Sequence, residues 1–276
     1  MDDIRPNVPA APVRLFDQLR RHMRDHGYAW KTEKTYLHWV RRFILFHGKQ
    51  HPARLSARHV NEFLSNLANE GHCSPATQRV ALNALIYLYK RFLGVELEQL
   101  DFGKAKPKRR LPVVLSHGEV LRILEHLQGK HRLIVELLYG AGLRQAEVLS
   151  LRIKDLDFEL STITVRSGKG DKDRSTLLPE RLKAALGQQI EFVCKQHQRD
   201  IEDGFGEVYL PNALAKKYPQ AARETAWQFL FPSSSIGPDP RSKALRRHHL
   251  HESSLRKAVT QARRGAMGVL SPLDGD

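Results

Sequence analysis

A short basic stretch flanked by prolines divides the chain into two parts of different character. Lys104-Ala105-Lys106-Pro107-Lys108-Arg109-Arg110-Leu111-Pro112 places five cations in seven positions. Its prolines fix φ and lack an amide donor, so neither a helix nor a central strand runs through it. Before it, apolar residues recur at helical spacing. After it, helical patterns alternate with short β-branched runs and glycine-rich turns. A chain broken in this way folds as two units with separate cores, and 276 residues suffice for two.

The first part, residues 13–100, reads as four helices. Leu15, Phe16, Leu19 and Met23 form one apolar face, and Tyr36, Trp39, Val40, Phe43 and Phe46 a second. Val60, Phe63, Leu64 and Leu67 form a third, after Ser56 as N-cap. Ser74 caps a longer helix with Pro75 at its first position and Val80, Leu82, Leu85, Leu88, Tyr89 and Phe92 along its interior. Four helices in so short a span make a compact all-α domain. Residues 1–12, rich in Pro and Ala, are expected to be disordered.

The charge points to a partner. Forty-five Lys and Arg against 30 Asp and Glu give a formal charge of +15. Such an excess favours a polyanion, because each neutralised phosphate releases counterions. The linker, residues 101–113, serves both as a tether and as a strap along a phosphate backbone, through Lys106, Lys108, Arg109 and Arg110. No apolar run approaches the roughly 20 residues of a bilayer span, and the first residues carry no apolar signal segment. A cytoplasmic location is expected. Cys73 and Cys194 have no partner spacing and are expected to be thiols in a reducing compartment. The 14 His and two Cys show no zinc pattern.

The second part opens with Ser116-His117-Gly118-Glu119, a capping box. A helix covers His131 to Tyr139, Gly140 and Gly142 bracket a tight turn, and a short helix carries Arg144 to Leu151. Phe158 and Ile163-Thr164-Val165 read as strands, Gly168 to Gly170 as a β-turn, and Arg174 to Leu178 as the returning strand. Arg181 to Gln198 is helical, and a last helix starts near Ser253 and reaches Arg264. The fold class is therefore mainly α with a small antiparallel β-sheet.

Two motifs stand out. Gly140-Ala141-Gly142-Leu143-Arg144-Gln145-Ala146-Glu147-Val148-Leu149-Ser150-Leu151 is followed by Ser167-Gly168-Lys169-Gly170-Asp171-Lys172-Asp173-Arg174. Arg144 carries a planar guanidinium fork that donates two hydrogen bonds and stays charged. Glu147, one turn along, is placed to orient that guanidinium; on a bare surface the two would be only an i,i+3 pair. Together these motifs resemble the first arginine box and the lysine hairpin of tyrosine recombinases.

The resemblance implies an N-terminal four-helix core-binding domain and a tyrosine-recombinase catalytic domain, over residues 114–264. It implies attack by a tyrosine on a DNA phosphate, giving a 3′-phosphotyrosyl bond and a 5′-hydroxyl. The bond conserves the energy, so no metal or nucleotide cofactor is required. Arg144 matches the arginine that steadies charge on the non-bridging oxygens. Lys169 matches the hairpin lysine, a general acid for the leaving 5′-oxygen, with Lys172 as runner-up. A hairpin that merely grips phosphate is the plainer reading.

A segment of about residues 201–235 narrows the subfamily. Gly204-Phe205-Gly206-Glu207-Val208-Tyr209-Leu210-Pro211 through Trp227-Gln228-Phe229-Leu230-Phe231-Pro232, with His248-His249-Leu250-His251-Glu252-Ser253 after it, resembles the extra element of integron integrases. That family's element recognises bases bulged from a folded single strand, the recombination site of a gene cassette. The resemblance implies Trp227 as a stacking platform, His248 and His249 as flanking contacts, and Lys217 as a phosphate or base contact. Core packing for Trp227 and a solvated loop for the histidines are the alternatives. The implied partners are folded single-stranded cassette sites and double-stranded integration sites, with a tetramer on DNA in the bacterial nucleoid.

The family's remaining groups are a His-x-x-Arg motif, a second His or Trp, and the tyrosine itself, all expected after the last helix. The tyrosines are Tyr28, Tyr36, Tyr87, Tyr89, Tyr139, Tyr209 and Tyr218; no His follows His251 and no Arg follows Arg264. Residues 265–276 resemble the tail beyond the catalytic tyrosine in integron-type relatives, which implies an internal deletion, with a frameshift as the competing explanation. The expectation is an incomplete catalytic domain without strand cleavage, or a DNA-binding remnant that interferes with intact relatives. Loss of the final helices is further expected to bare apolar faces near Leu137, Leu138 and Val148.

Overall fold

A computed structural model describes residues 8–71, 73–97, 114–166, 173–210, 212–239 and 244–267. The chain forms two compact units, Asp2–Pro112 and Val113–Asp276. Each has its own hydrophobic core.

The first unit contains α1 (Leu15–Asp25), α2 (Trp30–Phe46), α3 (Ala57–Asn69) and α4 (Pro75–Ile86). α3 and α4 start after Ser56 and Ser74, the two caps read from sequence. The Ser74 hydroxyl accepts the Thr77 amide at 3.2 Å, and His59 Nδ1 accepts the Ser56 amide at 3.0 Å. Leu19, Met23, Val40, Phe43, Phe63, Leu64, Leu85 and Leu88 close the core. Glu33 is wholly buried beneath α1, where Arg24 grips it with a fork at 2.9 and 3.0 Å. Phe46 and Val80 depart from their expected faces and are exposed.

The fourth helix also departs from its reading. Beyond Ile86 the chain widens into a π-helical segment, Tyr87–Leu93, closed by Gly94 at φ 67°. Tyr87, Leu88 and Tyr89 are consecutive and all buried, which one stripe of an ordinary α-helix does not achieve. The phenols are satisfied: Tyr89 donates to the Pro52 carbonyl at 3.0 Å, and Tyr87 meets His22 Nδ1 at 2.8 Å. Burial raises the Tyr87 phenol to about 12.

The second unit runs α5 (His117–Glu125), α6 (Gly129–Gly140), α7 (Gln145–Ser150), β1 (Leu156–Asp157), β2 (Thr162–Val165), β3 (Arg174–Leu177), α8 (Lys183–Glu202), α9 (Asn212–Lys217), β4 (Pro232–Pro238), β5 (Leu245–His249) and α10 (Glu252–Met267). β1, β2 and β3 form an antiparallel sheet in that order, with Val165 opposite Arg174, and β4 pairs with β5. The capping box at Ser116 forms, with Glu119 accepting the Ser116 amide at 2.7 Å. Phe158 lies in the β1–β2 turn and not on a strand: Asp157 accepts the Leu160 amide at 2.7 Å and Ser161 adopts φ 51°, which reverses the chain there.

Ile134, Leu137, Val148, Ile163, Leu186, Leu230 and Phe231 are the centre of the second core. Leu255 and Val259 of α10 belong to the same cluster, and Ala262 packs with Val120, Leu124 and Leu127 of α5 and the turn after it. This corrects the expectation of bared apolar faces: Leu137 and Val148 have no exposure and Leu138 is half-buried, because α10 already helps to cover them. Cys73 and Cys194 are free and half-buried. Among the described residues, no helix is long and apolar enough to cross a membrane.

Candidate functional site

The arginine turn is built by packing on one side and backbone freedom on the other. A Cβ on Gly140 would lie 3.1 Å from Pro179, so the end of α6 passes close to the chain leading into α8. Gly142, at φ 63°, then reverses direction in a conformation that side chains rarely adopt. Leu143 is buried and fixes the turn, which leaves Arg144 as the N-cap of α7.

Glu147 is the hub. Its carboxylate accepts the Arg144 amide at 2.8 Å and the Arg144 guanidinium at 2.6 Å. It also accepts Nη2 of Arg174 at 2.7 Å. The Glu147 side chain is 7% exposed, whereas Arg144 and Arg174 are 57% and 36% exposed. Burial works against ionising Glu147, but the bonds from Arg144 and Arg174 outweigh it and hold the carboxyl below its ordinary range. One buried negative charge therefore holds two half-exposed positive ones. Thr176 braces the arrangement by donating to the Ala141 carbonyl at 2.9 Å. From α10, the Glu252 carbonyl accepts Gln145 at 3.3 Å, and Ser254 meets His131 of α6 at 3.2 Å.

Lys169 and Lys172 lie outside the described residues, as do Lys106, Lys108, Arg109 and Arg110. The stem of the Lys169 hairpin is described. Arg174 pairs across it with Val165, and next to it Arg166 donates to the buried Asp155 at 2.9 Å.

A second cluster surrounds Phe229. Arg152 donates to the carbonyls of Trp227 and Tyr209 at 2.5 and 2.8 Å, and its guanidinium lies 4.5 Å from the Phe229 ring centre. Burial lowers Arg152 to about 10, which leaves it charged at neutral pH. Trp227 is half-buried against the cluster of Val208, Leu210, Ala221 and Phe229, and the Lys154 ammonium lies 2.8 Å from its ring centre. The His248 and His249 rings are 4.1 Å apart and each lies 5.3 Å from Phe229. Burial first, and the neighbouring His249 second, pull His248 down to about 3, so it is neutral at physiological pH. Arg247 anchors β5 to α8 through a fork on Asp200 at 2.6 and 2.7 Å. Lys217, at the end of α9, is exposed and lies over Tyr218, 5.2 Å from the ring centre.

The structure thus brings Arg144 to Glu147, and gathers Trp227, His248 and His249 about Phe229. Three cations were not singled out from sequence: Arg174, Arg152 and Lys154. Arg174 closes the quoted hairpin run, a usable signal. Arg152 directly follows the arginine box, but its carbonyl partners are 57 and 75 positions away. Among the described residues, no group of His, Cys, Asp and Glu is gathered to hold a metal.

Known proteins resemble this chain in both of its units. Residues 15–99 match the family model described as phage integrase, N-terminal SAM-like domain, and residues 113–272 match the phage integrase family. An integrase/recombinase of Escherichia coli is 45% identical over 268 residues, 97% of this chain and 79% of the relative. Tyrosine recombinase XerA of Thermococcus onnurineus (strain NA1) is 32% identical over 199 residues, 68% of each chain. Two solved structures share the fold. One is a lambda integrase dimer bound to a COC′ core site, with TM-score 0.56, 14% identity, and coverage of 94% of this chain and 79% of that one. The other is XerH recombinase bound to a palindromic difH substrate, with TM-score 0.54, 19% identity, and coverage of 94% and 69%. A family model over residues 113–272, a second over residues 15–99, and a relative 45% identical over 97% of the chain agree: the chain belongs to the phage integrase family, the tyrosine recombinases that integrate and recombine DNA at specific sites.

Proposed function

We propose that this chain is an integron-type integrase by descent, acting on folded single-stranded cassette sites and double-stranded integration sites. The carrying observation is the arginine turn. Arg144 presents a half-exposed guanidinium fixed by a buried carboxylate, an arrangement suited to phosphate and preorganised before DNA arrives. In this reading Arg144 steadies the non-bridging oxygens. Lys169 matches in sequence the family's general acid for a leaving 5′-oxygen, with Lys172 as its alternate. Trp227, His248, His249 and Lys217 face the unpaired bases and nearby phosphates, and Lys106, Lys108, Arg109 and Arg110 follow the backbone. The electropositive composition supports the phosphate contacts among these.

The 276 residues hold no tyrosine after Tyr218 and no histidine after His251. We propose that this polypeptide by itself grips DNA without forming a covalent bond to it. A nicked suicide substrate tests that directly, because it traps any phosphotyrosyl adduct. The expected result is none, and a covalent protein–DNA band on a denaturing gel overturns the reading. Specific recognition is read from a gel shift on a folded cassette-site strand against a scrambled hairpin. Preference for the former is expected, and equal binding removes the integron assignment.

A further inference from the structure

We infer that Arg174 is a second phosphate-binding side chain of the arginine turn, so that Arg144 and Arg174 grip a DNA phosphate as a pair of forks on one buried carboxylate. This rests on the reading of Arg144 as a phosphate ligand.

The charges are the first argument. Glu147 contributes one negative charge and the two guanidinia contribute two positive ones, all joined by bonds of 2.6 and 2.7 Å. A buried carboxylate that only needed a counterion is satisfied by Arg144, which already supplies both a backbone amide and a side-chain donor. The second arginine leaves a net positive charge at a half-exposed place, which calls for an anion.

The donors are the second argument. A guanidinium carries five N–H groups. Arg144 meets Oε1 of Glu147 through Nη1, and Arg174 meets Oε2 through Nη2. Among the described residues, no other protein acceptor takes a donor from either guanidinium. Their exposure of 57% and 36% leaves those donors open to a ligand. Sharing one carboxylate fixes the two forks relative to each other, so the ordering entropy is met before binding. Their position is the third argument. Arg174 begins β3, opposite Val165, in the stem of the hairpin that carries Lys169. One carboxylate thus ties the arginine turn to that hairpin, and an anion seated on both guanidinia lies next to it.

The competing role for Arg174 is positional, as a mere support for Glu147. Salt dependence separates the two, because a phosphate contact releases counterions and a support does not. The affinity of the full 276-residue chain for a double-stranded DNA probe is measured between about 50 and 200 mM salt. Arg144→Gln and Arg174→Gln are each expected to reduce the steepness of log affinity against log salt by roughly 0.9. If Arg144→Gln changes the slope and Arg174→Gln leaves it unaltered, the inference falls and the Arg144 reading stands. If Arg144→Gln leaves the slope unaltered, the Arg144 reading itself falls. Should Arg174→Gln fail to fold, Arg174→Met is read in its place: a slope reduced by roughly 0.9 supports the inference, and a slope like that of the parent chain overturns it.

Discussion

Arg144 and Arg152 stand on either side of one short helix and have opposite fates. Arg144 leans on a carboxylate and keeps most of its fork in solvent. Arg152 is drawn inward, where two backbone carbonyls and the Phe229 ring take up its donors and its face. Residue type does not separate a ligand-binding arginine from a structural one; the acceptors already bound to it do. Where the protein satisfies the fork, the arginine holds the fold, and where it leaves the fork open, donors remain for the phosphate contact proposed for Arg144.

The contrast can be broken by substitution. Arg152→Ala carries the largest expected effect. It strands the Trp227 and Tyr209 carbonyls and removes the cation beside Phe229, so a loss of about 3 kcal/mol is expected in denaturant unfolding. A loss under about 0.5 kcal/mol would show that Arg152 is not structural.

Glu147→Gln comes next, with a loss of about 2 kcal/mol at neutral pH as both ion pairs weaken. Its pH dependence has a definite sign. The folded carboxyl is held below its unfolded range, so its contribution is complete above that range and disappears as pH falls through the folded value. Stability curves of the parent chain and the variant should therefore converge in acid. Curves that stay parallel down through the carboxylate range would remove Glu147 as the hub.

Arg144→Ala reverses the pattern of Arg152→Ala. Its half-exposed pair contributes little to stability, about 0.5 kcal/mol, but DNA affinity should fall roughly tenfold at low salt through loss of a charge-assisted fork. Unfolding and gel-shift measurements on the same preparation check both halves. The smallest effect belongs to Lys154→Ala. Removing the ammonium over Trp227 should cost about 0.5 kcal/mol and change the tryptophan emission. It also uncovers a ring face, so binding to a folded strand should be kept or strengthened if that face stacks on a base.

What was legible in the sequence follows the reach of each interaction. Ser74, Ser116 and the Arg144–Glu147 pair were readable because each partner lies three positions away, within one turn. The pairing of β2 with β3 was readable because a short glycine-rich sequence separates them. The widened segment Tyr87–Leu93 was not, because its backbone yields to burial on several sides. The outward faces of Val80 and Phe46 escaped for the same reason: periodicity marks a stripe, and the neighbours set its edges.

By itself the sequence determined the helical first unit, the small antiparallel sheet, the family, and the arginine turn with its own carboxylate. These depend on short-range pattern and on glycines where the backbone turns sharply. Only the tertiary structure decided that Glu147 also holds Arg174, 27 positions on, and that Arg152 closes on carbonyls 57 and 75 positions away. Those bonds form only when the apolar faces of α6, α7, α8 and the strands have closed into one core. Burial then removes water as the competing partner and gives each fork its purpose.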